Sequence, residues 1–265
     1  MRVAALQLST LPLSNTKLDN YLKTCSKKGV RVVVLAEYVI NTFFKELQNM
    51  PKMMIAEQTR HKIEALSHYA SAYNLIIIAP IVLIEENKIY KAIGKFTPEG
   101  AEFVNQNFLI NYTHWNEDAF YDNEKSDAIS FIHFNYNGIS YAAINGFDIH
   151  FDQVWIEMVK KGIEVVLVPS VSTFGSNQRW NEILKSRALL NSMYILRVNR
   201  VGTYNNDESL WKFYGETYLI NPFGEIENSL NSKEELLIIS IKQSEVNEAK
   251  ETWKFQEQLK VREII

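Results

Sequence analysis

Polar side chains that stand where a long apolar run stops are the first candidates for chemistry, because in α/β proteins ligands bind beyond the carboxyl ends of buried strands. The sequence offers four such places: Glu37 after "VVVL", Asn145 to Asp148 after "SYAAI", Ser170 to Thr173 after "VVLVP", and Asn199 with Arg200 in "LRVNR". A carboxylate there can move protons, and hydroxyls and amides can orient a ligand. The same residue types also cap helices and tie down loops, so each place has a purely structural alternative. His61, His68, His114, His133 and His150 show no HxxxH or HxH spacing, so no metal site is expected. His114 and His150 lie beside the cleft segments, whereas His61 and His68 fall on the margins of a helix and His133 in mid-strand. The lone Cys25 excludes an intrachain disulfide and a thiolate cluster. Neither GxGxxG, GxxxxGK[ST] nor GxSxG is present, which leaves dinucleotide, P-loop and α/β-hydrolase readings unsupported and no cofactor expected.

The elements that must position these residues alternate from the start. "RVAALQL" reads as a buried strand, and Leu18, Tyr21, Leu22 and Cys25 form one apolar helical face. "VRVVVLAEY" is an almost unbroken apolar strand, the pattern of a strand covered on both sides. A second helix carries Ile55, Thr59, Ile63, Leu66, Ala70 and Tyr73 on one stripe, and "LIIIAPIV" follows as a third strand. Hairpins are predicted around "TPEG" and "YNG", where Pro98, Gly100, Asn137 and Gly138 supply turn chemistry. Helices over about 152–161 and 178–192 then alternate with the strands "IEVVLVPS" and "YILRVNRVG". "ETYLINPFGEI" and "EELLIISI" read as strands around a turn, and the polar tail from about 243 as helical. This order implies a single α/β domain over 1–265, with a C-terminal extension from about 243. Ten to twelve strands exceed a comfortable open sheet, so two packed sheets covered by helices are expected.

Composition narrows the function classes. Twenty-eight Lys and Arg against 31 Asp and Glu give 28 − 31 = −3 with no basic block, so a nonspecific grip on nucleic acid or anionic lipid has no support. The longest apolar run, Leu75 to Ile84, is about half of what a membrane-spanning helix needs. With no leader-like N-terminus, a cytoplasmic location is expected.

The segments "VAALQLS", "VVVLAEY", "NGFDIHF", "VVLVPS", "RWNEILKSRALLNSMYILRVNRVG" and "YGETYLINPFGEI", in this order, resemble the carbon-nitrogen hydrolase family of the nitrilase superfamily over residues 1 to about 242. The stretch Trp180 to Gly202 carries most of the resemblance, backed by residues 215–224. The resemblance implies a four-layer α-β-β-α sandwich, commonly paired as a homodimer, and cleavage of C–N bonds by a Glu, Lys and Cys triad. In such a triad the thiolate attacks, the Glu moves the proton, and the Lys with a backbone N–H steadies the oxyanion.

Set on that pattern, Glu37 matches the base, although Ala36 replaces the usual proline. Tyr112 falls on the lysine, with Asn111, Thr113 or His114 as the alternatives for a shifted alignment, and Glu117 matches a second glutamate. Gly146 falls on the cysteine, with Asn145 as its neighbour. None of these is a lysine or a cysteine, and Cys25 belongs to the core face of a helix. The resemblance therefore points to a catalytically silent homologue. Its pocket would contain Glu37, Tyr112, His114, Glu117, Asn145, Gly146 and Phe147, joined by Ser170 and Val171, and would take a small amide-like or carboxylate ligand. An active amidase or carbamoylase with a non-standard site is one alternative. A structural or partner-binding protein whose pocket is filled by Tyr112, Trp115, Phe147 and Phe151 is the other. A homodimer is expected, with no metal, nucleic-acid or membrane partner.

Overall fold

The computed structural model describes residues 1–173, 175–206 and 209–265. The chain begins β1 (Arg2–Gln7), α1 (Thr16–Lys27), β2 (Val32–Leu35), α2 (Phe44–Leu47), α3 (Lys52–Tyr73), β3 (Ile76–Glu85), β4 (Lys88–Thr97) and β5 (Gly100–Asn105). Two short strands follow, β6 (Asn111–Tyr112) and β7 (Trp115–Asn116), then β8 (Ile132–Tyr136) and β9 (Ile139–Ala143). A 3-10 turn at Gly146–His150 leads into α4 (Asp152–Lys160), β10 (Val165–Ser170), α5 (Asn177–Asn191) and β11 (Tyr194–Asn199). The remainder is β12 (Val201–Asn206), β13 (Ser209–Tyr214), β14 (Tyr218–Ile220), β15 (Ile226–Ser229), β16 (Glu235–Ser240), α6 (Gln243–Trp253) and α7 (Phe255–Val261).

Two six-stranded sheets dominate, ordered β16-β1-β2-β3-β4-β5 and β15-β14-β11-β10-β9-β8. In β10 the alternation is legible directly: Val165 and Leu167 join the core between the sheets, while Val166 and Val168 join the core under α4 and α5. On the other side, Leu18, Leu22 and Cys25 of α1 and Leu66 and Ala70 of α3 close over the first sheet. The result is the expected four-layer α-β-β-α sandwich. Both predicted hairpins are present as β4–β5 and β8–β9. The latter turns through Asn137 and Gly138, both at positive φ (50° and 77°), the backbone that Asn-Gly favours.

Two features depart from the sequence reading. "EELLIISI" does not pair with the strands before it but crosses to the first sheet as β16, antiparallel to β1. Residues after Asn199 form a separate two-stranded ribbon, β12–β13, which brings Trp211 and Phe213 against Phe43.

Candidate functional site

Glu37 follows β2 directly and is buried, as are Gly146 beyond β9 and Ser170 at the end of β10. Parallel pairing of β9, β10 and β11 brings their carboxyl ends together, and Gly146 N–H donates to Glu37 Oε1 across the two sheets at 2.9 Å. Two of the three residues set on the triad therefore meet.

The third position is filled from elsewhere. Tyr112 lies in the β6–β7 hairpin and carries no cation, but Lys91 of β4 extends into the site with its side chain almost wholly buried. Its Nζ is 2.6 Å from Glu37 Oε2, a charge contact whose angle falls short of a hydrogen bond, and it donates to both Glu117 oxygens at 2.9 Å. The lysine that the resemblance missed at Tyr112 thus has a counterpart: a positive charge reaches Glu37 from a different strand. The alternation of β4 turns it inward, since Lys91 shares its parity with Ile89 and Ile93, which are both buried. Asn123 clamps Lys91 in place, accepting from its N–H and donating to its carbonyl, each at 2.8 Å. Tyr38 donates to Glu117 Oε1 at 2.6 Å, with the Tyr121 hydroxyl 3.0 Å away.

Electrostatics follow from this burial. Removal from water raises the Glu37 pKa, with Glu117 adding to the effect and Lys91 opposing it. For Lys91 burial acts downward, but Glu117 and Glu37 together hold the ammonium above its ordinary value. When all three are ionised the cluster carries one net negative charge.

At Gly146 there is no room for a side chain. A Cβ there would stand 2.9 Å from Trp180 Cη2, 2.9 Å from Ser170 Cβ and 3.0 Å from Glu37 Oε1. The indole of α5 thus occupies the space a nucleophile would need. Cys25 lies on α1 in the core, and burial pushes its thiol up to about 12, so it is neither near nor reactive.

Beyond this packed floor a cavity of about 310 Å³ remains open. Glu37, Tyr112, His114, Phe147 and Val171 line it as expected, while Glu117, Asn145, Gly146 and Ser170 are buried outside its lining. Asn145 has both side-chain amide atoms unpartnered among the described residues. Of the aromatics expected to fill the pocket, Tyr112, Trp115 and Phe147 form walls, and Phe151 stacks on Phe108 with ring centroids 3.7 Å apart. Ser172, inside the strand end singled out from the sequence, lines the α5 side together with Trp180 and with Ser176 and Arg179, which the sequence reading did not single out. His150 also lines the cavity; burial lowers its pKa, and its Nδ1 lies 2.8 Å from the Phe147 carbonyl, which fixes a proton on that nitrogen in the neutral ring. Among the described residues no group of three or more His, Cys, Asp or Glu could hold a metal ion, and no helix is long and apolar enough to cross a membrane.

Known proteins place this architecture. Over 277 aligned residues the chain is 22% identical to the N-carbamoylputrescine amidase of Oryza sativa subsp. japonica, covering 95% of this chain and 89% of that one. It is 21% identical to the citrullinase of Francisella tularensis, covering 96% and 93%. Among solved structures, the carbon-nitrogen hydrolase of Helicobacter pylori G27 superposes with a TM-score of 0.84 at 18% identity, covering 97% of this chain and 94% of that one. An amidase from Nesterenkonia sp. gives 0.75 at 17%, covering 96% of each. The sequence pattern of the carbon-nitrogen hydrolases matches residues 2–251. With nearly its whole length matched and the four-layer sandwich in place, the chain belongs to the carbon-nitrogen hydrolase family of the nitrilase superfamily.

Proposed function

We propose that this protein is a catalytically silent carbon-nitrogen hydrolase homologue that holds a small amide- or carboxylate-bearing molecule in the cavity beside Glu37. One observation carries the reading: Gly146, which the resemblance sets on the nucleophile, has Trp180, Ser170 and Glu37 so close that even an added Cβ would force them to shift. Without a thiolate there is no acyl-enzyme route. The open volume favours a ligand over a filled, purely structural pocket.

A second reading, hydrolysis by water activated at Glu37, draws support from Lys91, which supplies the charge that an oxyanion would need. Against it, both Glu37 oxygens are engaged, one by Gly146 N–H and one by Lys91. Incubation with N-carbamoylputrescine and citrulline, the compounds in the relatives' names, should release ammonia only at background and leave the intact mass unchanged. Native mass spectrometry of an untreated preparation should find a bound small molecule. Turnover abolished by Glu37→Gln would overturn the silent reading in favour of the second.

A cytoplasmic setting and a two-fold homodimer belong to the same proposal. Ile156 on α4 and Leu190 on α5 are about half exposed, which supports an apolar contact outside the second sheet. Light scattering should give twice the 30.7 kDa monomer mass at micromolar concentration; a monomer throughout would refute the dimer.

A further inference from the structure

We propose that the wall of the cavity formed by Ser172, Ser176 and Arg179 is an anion subsite, so that the ligand is a small planar carboxylate lying against Tyr112, Phe147 and Trp180. This rests on the ligand-binding reading above and adds the sign of the ligand's charge.

Three observations converge on that wall. Ser172 lines the cavity but is only 3% exposed; it accepts a hydrogen bond from Arg197 Nη2 at 2.9 Å and donates none among the described residues. With its oxygen taken by a cation, the hydroxyl has a polarised proton to offer an anion. Arg197 is itself wholly buried, caged by the rings of Trp180, Tyr214 and Tyr218 at 4.7, 5.4 and 5.4 Å. It makes no ion pair among the described residues, and its Nη1 has no hydrogen-bond partner there. A buried cation without a counter-charge is costly, and an anion in the adjoining cavity would offset it. Finally, α5 begins at this wall: its N-cap Ser176 donates its hydroxyl to the Thr173 carbonyl at 2.8 Å rather than capping the helix, and Arg179 in its first turn is exposed and without an ion pair among the described residues. The free N–H groups and the positive end of the helix add to the same field.

The opposite side carries the reverse charge. With all three ionised, Glu37, Glu117 and Lys91 net one negative, which turns a carboxylate away from Glu37 and towards Arg179. The orientation of the ligand is thereby set.

Calorimetric titration of the full chain with benzoate, benzamide and benzylammonium separates charge from shape. Benzoate should bind at least about ten-fold more tightly than benzylammonium, and Arg179→Ala should weaken benzoate about ten-fold while changing benzamide less than about two-fold. Ser172→Ala, which leaves every charge in place, should weaken benzoate about five-fold. Preference for benzylammonium, indifference of benzoate to Arg179→Ala, or no benzoate binding up to about 10 mM would overturn the inference. Binding of benzamide alone, or a neutral or cationic molecule found in the untreated protein, would sink the anion subsite and leave the ligand-binding reading standing. Absence of all binding and of any carried molecule would remove both.

Discussion

Adding one methyl group at Gly146 tests the floor of the site. In Gly146→Ala the new Cβ meets Trp180 Cη2 and Ser170 Cβ at 2.9 Å and Glu37 Oε1 at 3.0 Å, all inside normal contact. Ser170 is fixed on a central strand, and the indole is held in the second core, so the strain has little outlet. Overpacking of this kind costs about 1 to 3 kcal/mol. Displacing Glu37 also strains its bond from Gly146 N–H, a charge-assisted contact whose loss adds about 1 to 2 kcal/mol. The total of about 2 to 5 kcal/mol would appear in urea denaturation as a midpoint lower by roughly 0.7 to 1.7 M, for a slope of about 3 kcal/mol/M. Trimming the ring should give relief: Trp180→Leu combined with Gly146→Ala should cost less than the sum of the two by at least about 1 kcal/mol. A Gly146→Ala protein within about 0.5 kcal/mol of the parent, or strictly additive behaviour, would show that Gly146 is not sterically closed. On the same grounds Gly146→Cys alone should form no adduct with small amides, and a lysine at Tyr112 should not help, because Lys91 already stands beside Glu37.

Lys91→Met leaves Glu37 and Glu117 buried together without their cation and should cost about 3 to 5 kcal/mol by chemical denaturation; a loss under about 1 kcal/mol would show the trio to be dispensable. Burial pushes the Asp148 carboxyl up to about 7, against donors from Asn107 and Phe108. Since the folded state holds this proton more tightly than the unfolded chain, the carboxyl's contribution falls as pH rises from about 4 to about 7 and stays low above that, by up to about 4 kcal/mol. Asp148→Asn should flatten the stability profile across that window, and an unchanged profile would refute the assignment. Cys25, buried with its thiol raised to about 12, should react with iodoacetamide only on unfolding, and Cys25→Ala should cost about 1 to 3 kcal/mol without changing ligand binding.

The scaffold was readable because its signals are local. Unbroken apolar runs marked β2, β3 and β10, and Asn137-Gly138 marked a hairpin, each without reference to the rest of the chain. Glu37 and the segment Asn145 to Asp148 were readable because each follows such a run, whereas Gly146 itself was singled out only by the resemblance. Lys91 was not, because a lysine in a hairpin strand is normally a solvated residue, and only the meeting of β4 with Glu37 and Glu117 gives this one buried partners. Trp180 stood out only as the start of the stretch that carries the resemblance, and its closeness to Gly146 depends on how α5 lies over β10, which no sequence spacing expresses. Arg197 falls within the strand "YILRVNRVG" and was not singled out. Its isolation from any carboxylate among the described residues is a property of the packed core.

The pairing of β16 with β1 reaches beyond the geometry of one sheet. Arg2 lies opposite Ser240, and the N-terminal amine donates to the carbonyl of Ile241 at 2.7 Å. During synthesis β1 can find its parallel neighbour β2 early, but its other edge stays bare until β16 has left the ribosome. For that interval Val3, Ala5 and their neighbours form an apolar template on which a second nascent chain could add a strand. The contact is among the most distant in sequence that the fold contains, so the final closure of the first sheet is a slow, late event. Cellular yield of this protein should therefore respond more to elongation rate and chaperone supply than its folded stability alone would suggest.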